Sequence, residues 1–193
     1  MRRLLNSVAI LDLDGDGMII DPSARDQEAR RRVLDKLAGR EVAEDSNEWK
    51  GLFYATSAFY DKDLLPLDKL QPGAIQAIER IRSLYMDLYI VTSRPDFLAG
   101  PTLAWLRDHD VHLAEDEIRF KLYQQGEDRR EQFVSTPAWK STIAHEASWI
   151  YRNVLLVDNE EKNRRAVAAL RRPNITIKDS LRDYVFDDGP IFA

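Results

Sequence analysis

A mainly parallel, Rossmann-like α/β fold is what this sequence predicts. The first observation is a set of short continuous apolar runs, Val8–Leu11, Leu88–Thr92, Asn153–Val157 and Ile175–Ile177. Runs of this kind, bounded by turn residues, form strands buried on both faces of a parallel sheet. The second is that helical stretches separate them, which argues for right-handed βαβ units. The third is that three of the runs end in polar groups able to do chemistry: Asp12 and Asp14, Thr92–Pro95, and Asp158–Asn159.

The elements follow in order. After the first run comes Asp21 to Leu70, a stretch with no convincing strand, read as a small helical insertion over the carboxyl end of the sheet. It holds a charged helix (Ala24–Leu37) and an aromatic-rich one (Glu48–Tyr60). Pro72–Leu84 carries Ile75, Ile78, Ile81 and Leu84 at helical spacing. Gly100–Asp108 is a further helix. Ile118–Tyr123 alternates and predicts a more exposed strand near a sheet edge. Ser135-Thr-Pro137 is a helix start, with a hydroxyl cap and proline in the first turn, and that helix is expected to run to about Tyr151. Asn159–Leu170 supplies another, stopped by Pro173. The whole is expected to be one domain, residues 1–193, with 21–70 as its insertion.

Composition narrows the function. With 193 residues, 44% apolar and 32% charged, the chain matches a globular average and is long enough to bury a full core. It contains no cysteine, which excludes disulfides, thiolate metal sites and cysteine nucleophiles. No apolar run is long enough to span a bilayer. The two arginines near the amino terminus precede an apolar stretch broken at Asn6, so a strand is expected there and not a leader; a cytoplasmic location is expected. A net charge of −5 does not mark a nucleic-acid binder. Arg129-Arg130 is basic, as is Lys162–Arg172, the latter read as a solvated helix face.

Ligands of open parallel sheets bind at the carboxyl ends of the strands, near the point where strand order reverses. Carboxylates gathered there are costly unless a cation neutralises them. Asp12-Leu-Asp14-Gly, Val91-Thr-Ser93-Arg, Lys140 and Val157-Asp158-Asn159 together resemble the four motifs of the haloacid dehalogenase-like (HAD) phosphohydrolase superfamily. Their order and spacing match from residue 8 to about 170.

That resemblance implies a Mg2+-dependent phosphatase acting on a phosphate monoester through an aspartyl-phosphate. Asp12 is the implied nucleophile, and Asp14 the acid and base that protonates the leaving oxygen and then deprotonates water. Mg2+ is expected on the Asp12 and Asp158 carboxylates and the Asp14 main-chain carbonyl. Ser93 is expected to donate to a phosphoryl oxygen. Lys140, or its rival Lys121, balances the negative charge; Lys140 is preferred because it stands at a helix amino end. Two positions depart from the family. Asp16 replaces a Thr or Val, which leaves open a shifted metal site or a side chain turned to solvent. Asn159 replaces a second Asp, and its amide can still accept from a metal-bound water.

Thr92–Pro95, Trp105-Leu-Arg107 and Gly126–Arg129 are similar to a narrower branch that includes the 3′-phosphatase domain of phage polynucleotide kinase. This similarity implies that Arg94 and Arg129 grip substrate phosphate. The implied substrate is a nucleotide or a nucleic-acid 3′ end, the acidic balance favouring the small molecule. Trp49, Phe53 and Tyr60 are open to two readings, packing within the insertion or a stacking wall for a base; their helical spacing favours packing. The alternative function is a catalytically inactive HAD-derived binding module. His109, His112 and His145 lack metal-ligand spacing.

Overall fold

The apolar runs become the strands of one sheet in a computed structural model, which describes residues 4–44, 46, 48–49, 52–53, 61–122 and 135–185. The strands are β1 (Ser7–Asp12), β2 (Ile20–Asp21), β3 (Lys69–Leu70), β4 (Asp87–Pro95), β5 (Ile118–Lys121), β6 (Asn153–Val157) and β7 (Ile175–Lys178). The helices are α1 (Ser23–Leu37), α2 (Ala74–Leu84), α3 (Ala99–Asp108), α4 (Thr136–Ile150), α5 (Glu161–Ala168) and the single turn α6 (Arg182–Val185). Among the described residues, five strands in the order β5-β4-β1-β6-β7 form a sheet in which every neighbouring pair is parallel.

Helices cover both faces of this sheet, which is why its strands read as unbroken apolar runs. Ala9 and Leu11 of β1 face the core shared with α2 and α3, whereas Val8 and Ile10 face the one shared with α4 and α5. Alternate side chains of a strand point to opposite faces, so β1 contributes to both cores at once. Ile10 and Leu11 are no more than 1% exposed, and each such burial contributes about 2 kcal/mol.

Most boundaries lie close to the expected ones, and the differences have local causes. α2 begins at Ala74, not Pro72, because Gly73 takes a left-handed φ of 83° just before it. α5 begins at Glu161 because the Asp158 side chain accepts from the Glu160 N–H and shapes a turn there. β4 runs on to Pro95 through a register shift beyond Thr92. β5 does lie at a sheet edge. Its predicted end at Tyr123 falls outside the described residues.

The 21–70 stretch corrects one expectation. It was expected to hold no strand, yet β2 and β3 pair antiparallel at its two ends, Ile20 with Leu70 and Asp21 with Lys69. A period-two pattern cannot show in two residues, so no sequence signal marks this stem. Between its strands, α1 buries Ala29, Val33 and Leu37. Trp49 packs on Val33 and Leu37, with Phe53 alongside. That is the packing reading of the aromatic residues; Tyr60 lies outside the described residues.

Candidate active site

The in-register parallel sheet builds the site. Asp12 at the end of β1 is level with Val91 of β4, and Leu11 is level with Val157 of β6. Asp12, Thr92-Ser93 and Asp158 are thereby delivered side by side at the strands' carboxyl ends. The chain runs outward from β1 to β4 and β5, then crosses back to β6 and β7. The strand order therefore reverses beside β1, where such sheets bind ligands.

Two carboxylates meet one ammonium at the centre. Lys140 Nζ lies 2.6 Å from Asp12 Oδ2 and 2.7 Å from Asp158 Oδ2. All three residues are buried. Ser135 caps α4 by accepting from the Ala138 N–H, so Lys140 sits on the second turn of that helix and reaches across to both strands. Lys121, at the end of β5, stands near the Thr136 hydroxyl at 3.5 Å. Of the two rival lysines, Lys140 is the one placed at the carboxylates.

The charges are not balanced there. Burial raises the Asp12 carboxyl, Lys140 opposes the rise, Asp158 adds to it, and the value settles at about 7. Burial alone would lower the Lys140 ammonium, but the two carboxylates hold it above its ordinary value. Asp158 is held further by Asn163, whose Nδ2 donates to both carboxylate oxygens at 3.1 Å. Arg164 Nη1 donates to the carbonyls of Asp158 and Asn159 at 2.7 and 2.6 Å. Arg164 belongs to the basic cluster read as a solvated face; it is half-buried and ties down the loop after β6.

Asp14 has different company. Its carboxylate accepts from Arg94 Nε at 3.1 and 3.2 Å and from the Thr92 hydroxyl at 3.0 Å. Arg25 Nη2 lies 3.4 Å away. Burial would raise the Asp14 carboxyl, but Arg94, Arg25 and Thr92 more than offset it and hold it below the ordinary carboxylate value. Asp68, just before β3, pairs with both arginines: with Arg94 Nη2 at 2.7 Å and with Arg25 Nε at 3.0 Å. Sequence reasoning missed Arg25 and Asp68. Arg25 did leave a signal, because Arg25, Ala29, Val33 and Leu37 form one stripe at spacings of four and all are buried.

The remaining expected site residues are placed as follows. Ser93 stands half-buried beside buried Thr92 near the end of β4. Arg94, expected on substrate phosphate, is fully buried and engages Asp14, Asp68 and Thr102. Arg129 and Gly126 lie outside the described residues. Asp16 is turned to solvent and paired with exposed Arg182 at 2.9 Å, which favours the solvent reading of that departure. The ring of His109 stacks on Trp105 at 3.8 Å.

Gly15 lets the loop after β1 close on the loop after β6. Its φ is 134°, and a Cβ there would lie 2.3 Å from Asn159 Nδ2. Gly15→Ala is expected to cost about 1–3 kcal/mol from the backbone conformation alone, read as a lower urea midpoint. Asn159→Gly would relieve the collision but not the φ, so the double variant should recover only part of the loss.

The donors present are oxygens, the ligands of a hard divalent cation. Among the described residues, no group of three His, Asp or Glu side chains is arranged to hold a metal. Asp12 and Asp158 supply two carboxylates, and a third donor must come from the main chain, as the Asp14 carbonyl can. Asn159 Oδ1 is buried with no hydrogen-bond partner, an acceptor suited to a cation's water shell. Two carboxylates against one ammonium, with Asp12 raised by burial, leave room for further positive charge, so the residues fit the ion.

No family model matches the chain, and no curated protein does. Solved structures do resemble it. A haloacid dehalogenase-like family hydrolase from Streptococcus pneumoniae superposes with a TM-score of 0.53 at 14% identity, over 93% of this chain and 90% of that one. Protein tyrosine kinase A from Mycobacterium tuberculosis gives 0.54 at 12% identity, over 96% and 90%. The chain has the HAD fold. At these identities the likeness speaks of fold alone. No helix among the described residues is long and apolar enough to cross a membrane.

Proposed function

We propose that this HAD-fold protein hydrolyses phosphate monoesters through an aspartyl-phosphate formed on Asp12. The observation that carries the reading is the convergence of Asp12 and Asp158 on Lys140 at the switch point, with Asp14 two residues beyond the nucleophile.

In the first step an Asp12 oxygen attacks phosphorus and the ester P–O bond breaks. The leaving oxygen takes its proton from Asp14, which must part from Arg94 to carry one. In the second step water attacks the same phosphorus, gives a proton to Asp14, and the acyl–phosphate bond breaks to return Asp12. Lys140 keeps its charge beside Asp158 throughout and balances the phosphoryl oxygens. Ser93 donates to one of those oxygens. Asn163 and Arg164 fix the Asp158 loop, so the carboxylates do not rearrange as charge moves. Mg2+ held by Asp12, Asp158 and the Asp14 carbonyl would supply the positive charge that a dianionic ester needs in order to approach these carboxylates.

A nucleotide is the proposed substrate class, ahead of a nucleic-acid 3′ end, because the net charge of −5 disfavours a polyanion. The test is phosphate release from nucleotides, sugar phosphates and 3′-phosphorylated oligonucleotides, with Mg2+ and with chelator. Metal-dependent release equal to the ester consumed supports hydrolysis. Oligonucleotide turnover that falls steeply with salt would move the substrate to nucleic-acid ends. A folded, Mg2+-binding protein that releases nothing would overturn the reading in favour of the inactive binding module.

A further inference from the structure

We propose that Asp68 and Arg25 are positioning residues for Asp14, Asp68 acting through the two arginines it holds and Arg25 by its own contact with Asp14; this rests on the phosphatase reading above. The four side chains form one buried cluster of two carboxylates and two guanidiniums. Arg25, Arg94 and Asp68 have fully buried side chains, and Asp14 is 11% exposed. Formal charges cancel within the cluster, which is what lets it persist away from water.

The geometry divides the arginines between two carboxylates. Arg94 offers Nε and Nη2 to Asp14, and the same Nη2 lies 2.7 Å from Asp68 Oδ2. Arg25 spans the same pair, with Nε 3.0 Å from Asp68 Oδ1 and Nη2 3.4 Å from Asp14 Oδ1. Thr92 accepts from the Arg94 N–H and donates to Asp14, fixing the remaining edge. Asp68 keeps both guanidiniums in place when Asp14 turns to the leaving group. Without it, both arginines fall to Asp14 alone, and Asp14 is held away from the ester oxygen. Arg25 and Asp68 come from the two ends of the 21–70 stretch, so that stretch contributes to the site through these two residues.

The leaving group provides the test. An alkyl ester needs a proton delivered as its alkoxide departs, whereas 4-nitrophenyl phosphate does not. Kinetics with Mg2+ would compare wild type, Asp68→Asn and the charge-balanced double variant Arg25→Met/Asp68→Asn. The substrates would be 4-nitrophenyl phosphate and the alkyl ester that wild type turns over fastest. The double variant guards against an Asp68→Asn protein too unstable to assay, and circular dichroism would check the fold of each. The expected result is a loss of roughly 10- to 100-fold in kcat/KM on the alkyl ester, with kcat/KM on 4-nitrophenyl phosphate changed by no more than about threefold; kcat/KM ends at departure of the leaving group, so it leaves out the second step, in which Asp14 serves both esters alike. Equal losses in kcat/KM on both esters, or wild-type kcat/KM on both from a folded double variant, would overturn the inference and leave the phosphatase reading standing. A wild type inactive on every ester would instead overturn the phosphatase reading.

Discussion

Lys140→Met is expected to lower stability by about 3–5 kcal/mol, because it leaves Asp12 and Asp158 buried together with no ammonium between them. The methionine stem replaces the packing of the lysine stem, so the loss reports charge more than volume. Adding Asp158→Asn removes one of the stranded carboxylates and should recover a large part of the loss, an interaction of the sign that double-mutant cycles detect in contacting groups. Phosphate release should fall on the order of 100-fold or more in either variant, since a missing charge at a water-poor site costs several kcal/mol in the transition state. Urea melts and initial rates would measure both. A Lys140→Met protein as stable as wild type would mean that the ammonium is not the counter-charge the geometry implies.

Asp12→Asn should act in opposite directions on activity and stability. Turnover is expected to drop on the order of 10⁴-fold or more, because the amide cannot form the acyl-phosphate. Stability in chelator should rise. The Asp12 carboxyl lies at about 7 in the fold against an ordinary 3.8. Between these values the folded chain binds a proton that the unfolded chain has released, so wild-type stability falls as pH rises from about 4 to about 7. The asparagine carries no such slope. The two proteins should melt close together near pH 4, and the variant should be the more stable by a margin that widens up to pH 7 and then levels off. A gap independent of pH would show that Asp12 is ionised in the fold well below neutrality. Stability gained where activity is lost is common for residues held in strained functional settings.

What the sequence made legible follows from locality. Asp12, Asp14, Ser93 and Asp158 each lie at or within a few residues of the end of a buried strand, so the apolar run that predicts the strand also locates the residue. Lys140 follows the Ser135-Thr-Pro137 helix start at a fixed offset. What remained hidden depends on partners distant in sequence. Arg94 and Asp14 are 80 residues apart, and no periodicity says that the arginine after Ser93 will turn inward to a carboxylate. Asp68 precedes a two-residue strand with no pattern of its own. Arg25 was obscured by the charges around it in Arg25–Arg32, although its buried stripe with Ala29, Val33 and Leu37 was readable. Arg164 looked like one more surface charge because the carbonyls it binds belong to a loop whose path the sequence does not describe.

The most direct test of Asp12 as the nucleophile is to trap the intermediate. Protein mixed with Mg2+ and its best ester would be quenched during turnover, treated with hydroxylamine, and mapped by peptide mass spectrometry. Hydroxylamine converts an acyl-phosphate to a hydroxamate, and that modification is expected on Asp12 of wild type, absent when ester is omitted. A hydroxamate on another residue, or none in protein that is turning over rapidly, would contradict it.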